Sequence, residues 1–370
     1  MNLSQAELLR YGRHLTLPEL GLEGQLKLKK GSVLVVGAGG LGSPMLLYLA
    51  AAGVGRIGII DPDVVDVTNL QRQILYNSAD VGKSKAETAR RKLMELNPHL
   101  EIIAYPVALT RYNALQLIEN YDVIADGTDN FQTRYLVNDA CVLKGKVNIY
   151  GSIFRFEGQV SVFNYPQSNG QRGVNYRDLF PQPPPPDMVP DCAEGGVLGV
   201  LPGIIGSIQA SEAIKVLTGV GEPLSGRLFL FDAASFMTRV LKVSINPNLA
   251  PITALVDYDI FCGIKPVVPN NHRNISVEQL IKRLQTEENL QLIDVRETHE
   301  FESGAIPNAI SMPLSLLTHF IPIIQKDKPI ILYCQSGKRS AKALAQLLEN
   351  HGFTDIVHLE NGFSGWLKSK

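Results

Sequence analysis

One run constrains this 370-residue chain more than any other: SVLVVGAGGLGSPMLLYLAAAG, residues 32–53. Four aliphatic residues end on Gly37, the glycines Gly37, Gly39 and Gly42 follow at G-x-G-x-x-G spacing, and an apolar helical pattern begins at once. The same alternation of β-rich run and helix continues to about residue 150, through RIGIID, KSKAETARRKLMELN (stopped by Pro98), EIIAYPV, YNALQLIEN and YDVIADGTDN. Such alternation predicts a parallel sheet in a doubly wound, Rossmann-like α/β domain. FRFEGQVSVFNY then alternates apolar and polar residues, which predicts later, antiparallel strands.

PQPPPPDMVP, residues 181–190, can form neither regular helix nor sheet and reads as a draped loop. Helical GVLPGIIGSIQASEAIKVLTG and strand-like GRLFLFDA follow it, so the loop is internal to the first domain. GIKPVVPNNHR, residues 263–273, reads as the linker between a first domain, 1–262, and a second α/β domain, 274–370.

The formal net charge of −1 gives no basic face for nucleic acid or anionic lipid. The longest apolar runs fall short of the roughly 20 residues that span a bilayer. MNLSQAELLRYGRH reads as a helix opened by a Ser4–Glu7 capping box and lacks the apolar core of a signal peptide. A cytoplasmic protein is expected, with Cys141, Cys192, Cys262 and Cys334 as free thiols in a reducing compartment.

Asp61 stands nineteen residues past Gly42, at the end of the next strand. A glycine loop that admits phosphates and an acid for a ribose hydroxyl predict a nucleotide site. A nicotinamide oxidoreductase, with the C-terminal module as a non-catalytic dock, is one reading. Phosphate chemistry is the other, and three features favour it. DVTNLQRQILY offers Asn69, Arg72 and Gln73; VGKSKAETAR offers Lys85; and DVIADGTDN ends a strand on Asp126, Asp129 and Asn130. A carboxylate attacking the α-phosphate of ATP needs no general base. It needs charge neutralisation, which cations and an acid-held Mg²⁺ supply. Each residue also has a plain structural reading: Arg72 and Lys85 as surface cations, Asp129 as the N-cap of the following helix.

RYGRHLTLPELG, GAGGLGSP, GIIDPDVVDVTNLQRQ, GKSKA, ADGTDNFQTRYLVNDAC and FEGQVSVF resemble the adenylyltransferases of the ubiquitin-activating superfamily, most closely the molybdopterin-synthase type and its thiamine-pathway kin. The resemblance implies ATP-dependent adenylation of the C-terminal glycine of a ubiquitin-like sulfur-carrier protein ending in Gly-Gly. It implies that Gly40 and its neighbours hold phosphates and Asp61 the ribose. Asn69, Arg72 and Lys85 would contact the triphosphate, and Asp129 would bind Mg²⁺. It also implies a homodimer in which Arg13 reaches the partner's site. Many relatives carry two CxxC zinc pairs; here NYRD (175–178) and DIFC (259–262) leave only Cys262, so no structural zinc is expected. Cys192, in PDCAEGGVLG, reads either as a packing thiol or, by resemblance, as the holder of an acyl or disulfide intermediate. Cys141 reads as core.

In the second domain ILYCQSGKRSAKALAQLL closes a strand on Cys334 and starts a helix, with Ser340 as the expected cap. The loop Gln335, Ser336, Gly337, Lys338, Arg339, Ser340 can point amides and cations at the sulfur. A cysteine phosphatase needs arginine six positions after its nucleophile; that position is Ser340, and Arg339 falls one short. DVRE with Asp294 and Arg296, the Gly304–Pro307 turn, CQSGKRS and ENGFSGW with Trp366 resemble rhodanese. This implies a persulfide on Cys334, with Asp294 and Trp366 structural; Ala305 stands where relatives often have histidine. Together the halves imply activation of a carrier carboxylate and its conversion to a thiocarboxylate. A cysteine desulfurase or thiosulfate would supply the sulfur. Molybdopterin, thiamine, cysteine-synthesis and tRNA-thiolation pathways all fit.

Overall fold

The computed structural model describes every residue except 1, 169, 185–195, 265–272, 287–288, 327, 352, 354 and 370, and the side chains of 349–351. These residues form two compact units, Met1–Cys262 and Gly263–Lys370. Cys192, most of the proline-rich run and most of the expected linker lie outside the described residues. Among the described residues no helix is long and apolar enough to cross a membrane.

The first unit is built on eight strands: β1 (Ser32–Val36), β2 (Arg56–Ile60), β3 (Glu101–Tyr105), β4 (Val123–Asp126), β5 (Val147–Phe154), β6 (Glu157–Phe163), β7 (Arg227–Asp232) and β8 (Met237–Lys242). They are ordered β3-β2-β1-β4-β5-β6-β7-β8. The first five in that order are parallel; β6, β7 and β8 add antiparallel. β1 is buried throughout, as a central parallel strand covered on both faces must be. Its alternate residues serve two cores. Val33 and Val35 pack with Met45, Leu46 and Leu49 of the helix Gly42–Ala52 and with Ala210 and Ala213 of the helix Leu201–Thr218. Leu34 and Val36 pack with Leu136, Val137 and Ala140 of the helix Phe131–Lys144. Each such valine, leucine or methionine side chain contributes about 1.5–3 kcal/mol through burial. The order runs outward from β1 to β2 and β3 on one side and to β4 and β5 on the other. That reversal opens a crevice at the carboxyl ends of β1 and β4.

The Ser4–Glu7 capping box forms, and Lys29 and Ser4 hold the Glu7 carboxyl at about 2 against the burial that would raise it. Asn130, not Asp129, caps the helix Phe131–Lys144: its side chain accepts from the Thr133 amide at 2.9 Å. Asn175 and Asp178 cap the short helix Tyr176–Leu179, and Asp178 also accepts from the Asn246 amide at 2.8 Å. Between them Arg177 grips buried Asp139 with two hydrogen bonds of 2.8 and 2.7 Å, and the Tyr258 hydroxyl donates to the same carboxylate. Cys262 packs in the adjacent core, where burial pushes its thiol up to about 11. Ion pair and hydrogen bonds thus tie the 175–178 stretch, and Tyr258 just before 259–262, to the helix Phe131–Lys144. Cys141 is fully buried in the same core, and burial holds its thiol protonated.

The second unit carries a five-stranded, all-parallel sheet of β9 (Asn274–Ile275), β10 (Gln291–Asp294), β11 (Ile310–Ser311), β12 (Ile330–Tyr333) and β13 (Ile356–Leu359), ordered β11-β10-β12-β13-β9. Central β12 again divides its residues between two cores, Ile330 and Leu332 on one face, Ile331 and Tyr333 on the other.

Candidate functional site

The crevice at the carboxyl ends of β1, β2 and β4 is a cleft lined by Gly37, Gly39, Gly40, Asp61, Asp63, Arg72, Gln73, Lys85, Thr128, Asp129, Asn130 and Ile153. Topology alone brings these residues together from six stretches of sequence. Gly42 does not line the cleft. It starts the helix behind it, and a Cβ there would run into the Gly37 carbonyl, so its glycine serves close strand–helix packing. Asn69 does not line it either: its carbonyl accepts from the Arg72 and Gln73 amides and holds the turn that presents them. Arg13 is exposed and lies outside the cleft's lining.

Asp61 accepts from the Ala38 amide (2.8 Å) through one oxygen and from the Asp63 amide (2.9 Å) through the other. Burial raises its pKa, and the two amides and Lys85 oppose that rise. Buried Lys85 reaches Asp63 at 2.9 Å, a partner the sequence reading missed although it stands two residues after Asp61. Tyr76, also missed, donates its hydroxyl to the Ala38 carbonyl at 2.9 Å and pins the glycine loop to the helix start at Lys85. Arg72 donates to the Thr68 carbonyl at 3.2 Å. Beneath Asp129, Thr128 donates its amide and hydroxyl to buried Asp126 (3.0 and 2.6 Å), and Gln209 donates to the Asp126 carbonyl.

These residues fit a nucleotide triphosphate. Backbone amides and two cations face one cleft with an acid at the ribose position. The buried Gln73 carbonyl oxygen has no hydrogen-bond partner among the described residues, so it is available to a ligand hydroxyl. Asp129 is an exposed carboxylate at the rim. A single acid suits Mg²⁺, which keeps most of its water and phosphate ligands. Among the described residues no group of three or more His, Cys, Asp or Glu is arranged to hold a metal without a substrate.

In the second unit Cys334 follows β12 and is buried, 1% exposed. Only Gln335–Gly337 form the loop. The helix begins at Lys338, so Ser340 sits in its first turn and is not its cap. The loop is braced from behind. The Phe363 amide donates to the Cys334 carbonyl (2.7 Å) and the Ser364 amide to that of Gln335 (3.0 Å). Arg296 grips Asp294, reaches the Gln335 side chain at 3.2 Å and lies over the Phe363 ring. The DVRE and GFSG stretches are therefore the frame of the cysteine loop. Arg339 turns to Glu300 (2.5 and 2.7 Å), and that bond holds the Glu300 carboxyl at about 2. Lys338 is exposed. Ser340 Oγ lies 3.7 Å from Cys334 Sγ.

Comparison with known proteins gives the same division. Residues 11–250 match the ThiF family and residues 276–369 the rhodanese-like domain. The chain is 48% identical to a probable adenylyltransferase/sulfurtransferase MoeZ of Mycobacterium tuberculosis, over 99% of this chain and 94% of that one. It is 52% identical to a sulfur carrier protein adenylyltransferase of Thermus thermophilus, over 72% of this chain and 100% of that one. It is 42% identical to an adenylyltransferase and sulfurtransferase MOCS3 of Drosophila yakuba, over 99% and 84%. Among solved structures, E. coli MccB with ATP superposes with a TM-score of 0.55 at 22% identity, over 65% of this chain and 73% of that one, a likeness of fold.

Proposed function

The chain belongs to the ThiF family, with a rhodanese-like domain at its C-terminal end, and from this premise we infer that it adenylates a sulfur-carrier protein and then transfers sulfur to it. The observation that carries the reading is the cleft itself: Asp61, Arg72, Lys85 and Asp129 meet around one glycine loop at the sheet's switch point.

The substrate is a ubiquitin-like carrier ending in Gly-Gly, and its co-substrate is ATP. The glycine-loop amides bind phosphate oxygens, and Asp61 and Gln73 hold the ribose. Arg72 and Lys85 offset the repulsion between the carrier's carboxylate and the triphosphate, Lys85 leaving Asp63 to do so. Asn130 flanks Asp129 at the mouth. Mg²⁺, held by Asp129, supplies charge neutralisation on the leaving pyrophosphate. Attack of the carboxylate on the α-phosphorus expels pyrophosphate and leaves an acyl-adenylate. Arg13, free of its own cleft, serves the partner's cleft in a homodimer.

Sulfur reaches Cys334 from a cysteine desulfurase or thiosulfate as a persulfide, cradled by the loop from Gln335 to Ser340. Its terminal sulfur attacks the activated carbonyl, AMP leaves, and an acyl disulfide forms. Attack by a second thiol on the Cys334 sulfur breaks the S–S bond of the acyl disulfide, frees the thiocarboxylate carrier and leaves that thiol disulfide-bonded to Cys334, for a small cellular thiol to reduce; Cys192 is the candidate thiol. A reducing cytoplasm suits an enzyme whose sulfur rides on a free cysteine, and no structural zinc is expected of it.

The test is carrier-dependent exchange of pyrophosphate into ATP. Asp129→Ala is expected to lower it by at least 10²-fold, the scale of a lost transition-state electrostatic contact. Exchange that survives the substitution sinks the assignment of Asp129.

A further inference from the structure

Behind the Cys334 loop lies a polar chain that the sulfur reaction as described does not use. His358 on β13 is buried, 5% exposed, and its Nδ1 lies 3.4 Å from Ser340 Oγ. Ser340, fully buried in the first turn after the loop, lies 3.7 Å from Cys334 Sγ and 3.0 Å from the Gly337 carbonyl. His358 Nε2 is buried with no hydrogen-bond partner among the described residues. A buried polar ring with one nitrogen orphaned and the other aimed at the serine beside the reactive sulfur calls for an account.

Proton bookkeeping gives one. Burial lowers the His358 pKa and outweighs the Leu359 backbone and the Glu360 charge, which oppose it, so the ring is neutral and carries a single N–H. An N–H on Nε2 would be an orphaned buried donor, the rarer and costlier defect. A proton on Nδ1 can be donated to Ser340 Oγ, which leaves only a lone pair unmet at Nε2. Ser340 has one proton of its own. Beside a neutral thiol it is donated to the Gly337 carbonyl. Beside an anionic sulfur the charge-assisted bond is the stronger, and the hydroxyl turns to Sγ. The arginines around this chain are otherwise engaged. Arg339 is paired with Glu300, and Arg296 with Asp294. Arg273, from the segment leading into β9, donates to the Ile356 carbonyl; Glu360, exposed past the end of β13, is the one charge among the described residues that acts on His358, and it favours the protonated ring.

We propose that His358 is a positioning residue for the sulfur chemistry, which holds Ser340 so that its hydroxyl donates to Cys334 whenever that sulfur is anionic. The proposal rests on the reading of Cys334 as the sulfur carrier.

Two rates on the full-length protein test it: iodoacetamide alkylation of Cys334, read on its peptide, and loading from thiosulfate, read as a gain of about 32 Da. In the loading step the Cys334 thiolate attacks the outer sulfur of thiosulfate, a cysteine S–S bond forms, and sulfite leaves with the electron pair. At pH 7, His358→Phe is expected to slow both about tenfold, and raising the pH to about 9.5 is expected to restore alkylation. His358→Asn, which can keep an N–H at the Nδ1 position, should stay within about threefold of the parent. Ser340→Ala should match His358→Phe, and the double variant should be no slower than either single one, because both break one chain. Rates for a folded His358→Phe within twofold of the parent overturn the proposal, as does additivity in the double variant. Should His358→Phe not fold, His358→Leu reads the same quantity. The failures separate: a parent protein that never gains sulfur at Cys334 refutes the sulfur reading, while alkylation still tests the His358–Ser340 chain.

Discussion

Glu300 and Arg339 show how a single residue can be legible while its task is not. In the sequence Arg339 stands beside the cysteine and reads as a cation for the sulfur. In the folded unit it is committed to Glu300, 39 residues away. That carboxyl sits at about 2 in the fold, below its ordinary value of 4.5, chiefly through the Arg339 hydrogen bond. A carboxyl depressed by folding contributes stability above its unfolded pKa and loses it as pH falls through the folded value. The stability advantage of the parent over Glu300→Gln should therefore be full at pH 7 and vanish between about pH 4.5 and 2. Urea unfolding of the two proteins across that range measures it; an advantage that persists at pH 2 would count against the pair. Asp294 and Arg296 pose the opposite case. Both are buried, so Arg296→Ala leaves an uncompensated charge, at a cost of about 3–5 kcal/mol in thermal or urea unfolding.

At the scale of elements, the helix Gly362–Lys368, from the ENGFSGW motif, is what shapes the cysteine loop. Gly362 has a φ of +53°, and a Cβ there would run into the Cys334 carbonyl. Gly362→Ala should lower the second unit's stability by more than 1 kcal/mol and slow Cys334 loading, with thiosulfate as probe. In the first unit, the Arg177–Asp139–Tyr258 bonds hold the helix Tyr176–Leu179 and the helix Tyr258–Phe261 to the helix Phe131–Lys144. Asp139→Ala should destabilise by about 3–5 kcal/mol, and a chelator should leave the parent's melting temperature unchanged. A melting temperature that drops on chelation would mean that a metal shares the task. Strand β8 was not legible at all: every residue of MTRVLK is exposed, so no face contrast marks it as a strand.

For the whole molecule, the proposed reaction uses two chemistries on two compact units. They should separate by substitution. Cys334→Ala is expected to keep carrier-dependent pyrophosphate exchange within about twofold and to abolish thiocarboxylate formation. Asp129→Ala should lose the exchange, and with it thiocarboxylate formation, yet still load sulfur on Cys334. Mass spectrometry of the carrier, read for adenylate and for thiocarboxylate, and of the Cys334 peptide, read for added sulfur, distinguishes the parent from each variant. Loss of exchange in Cys334→Ala would mean that the sulfur domain is needed for the first step.

Local pattern alone carried the strand–loop–helix of residues 32–53, the acid Asp61 at the next strand end, and the cysteine at the end of β12. Backbone periodicity and glycine spacing are properties of neighbouring residues, so a sequence displays them directly. Only the tertiary structure decided which charges meet. It gave Lys85 to Asp63 and Arg339 to Glu300, set the Asn69 carbonyl to hold the turn that carries Arg72 and Gln73, moved Ser340 into the helix, and set His358 behind the reactive sulfur. Those pairings depend on sheet order and on which face each strand turns inward, and distances along the chain do not encode them.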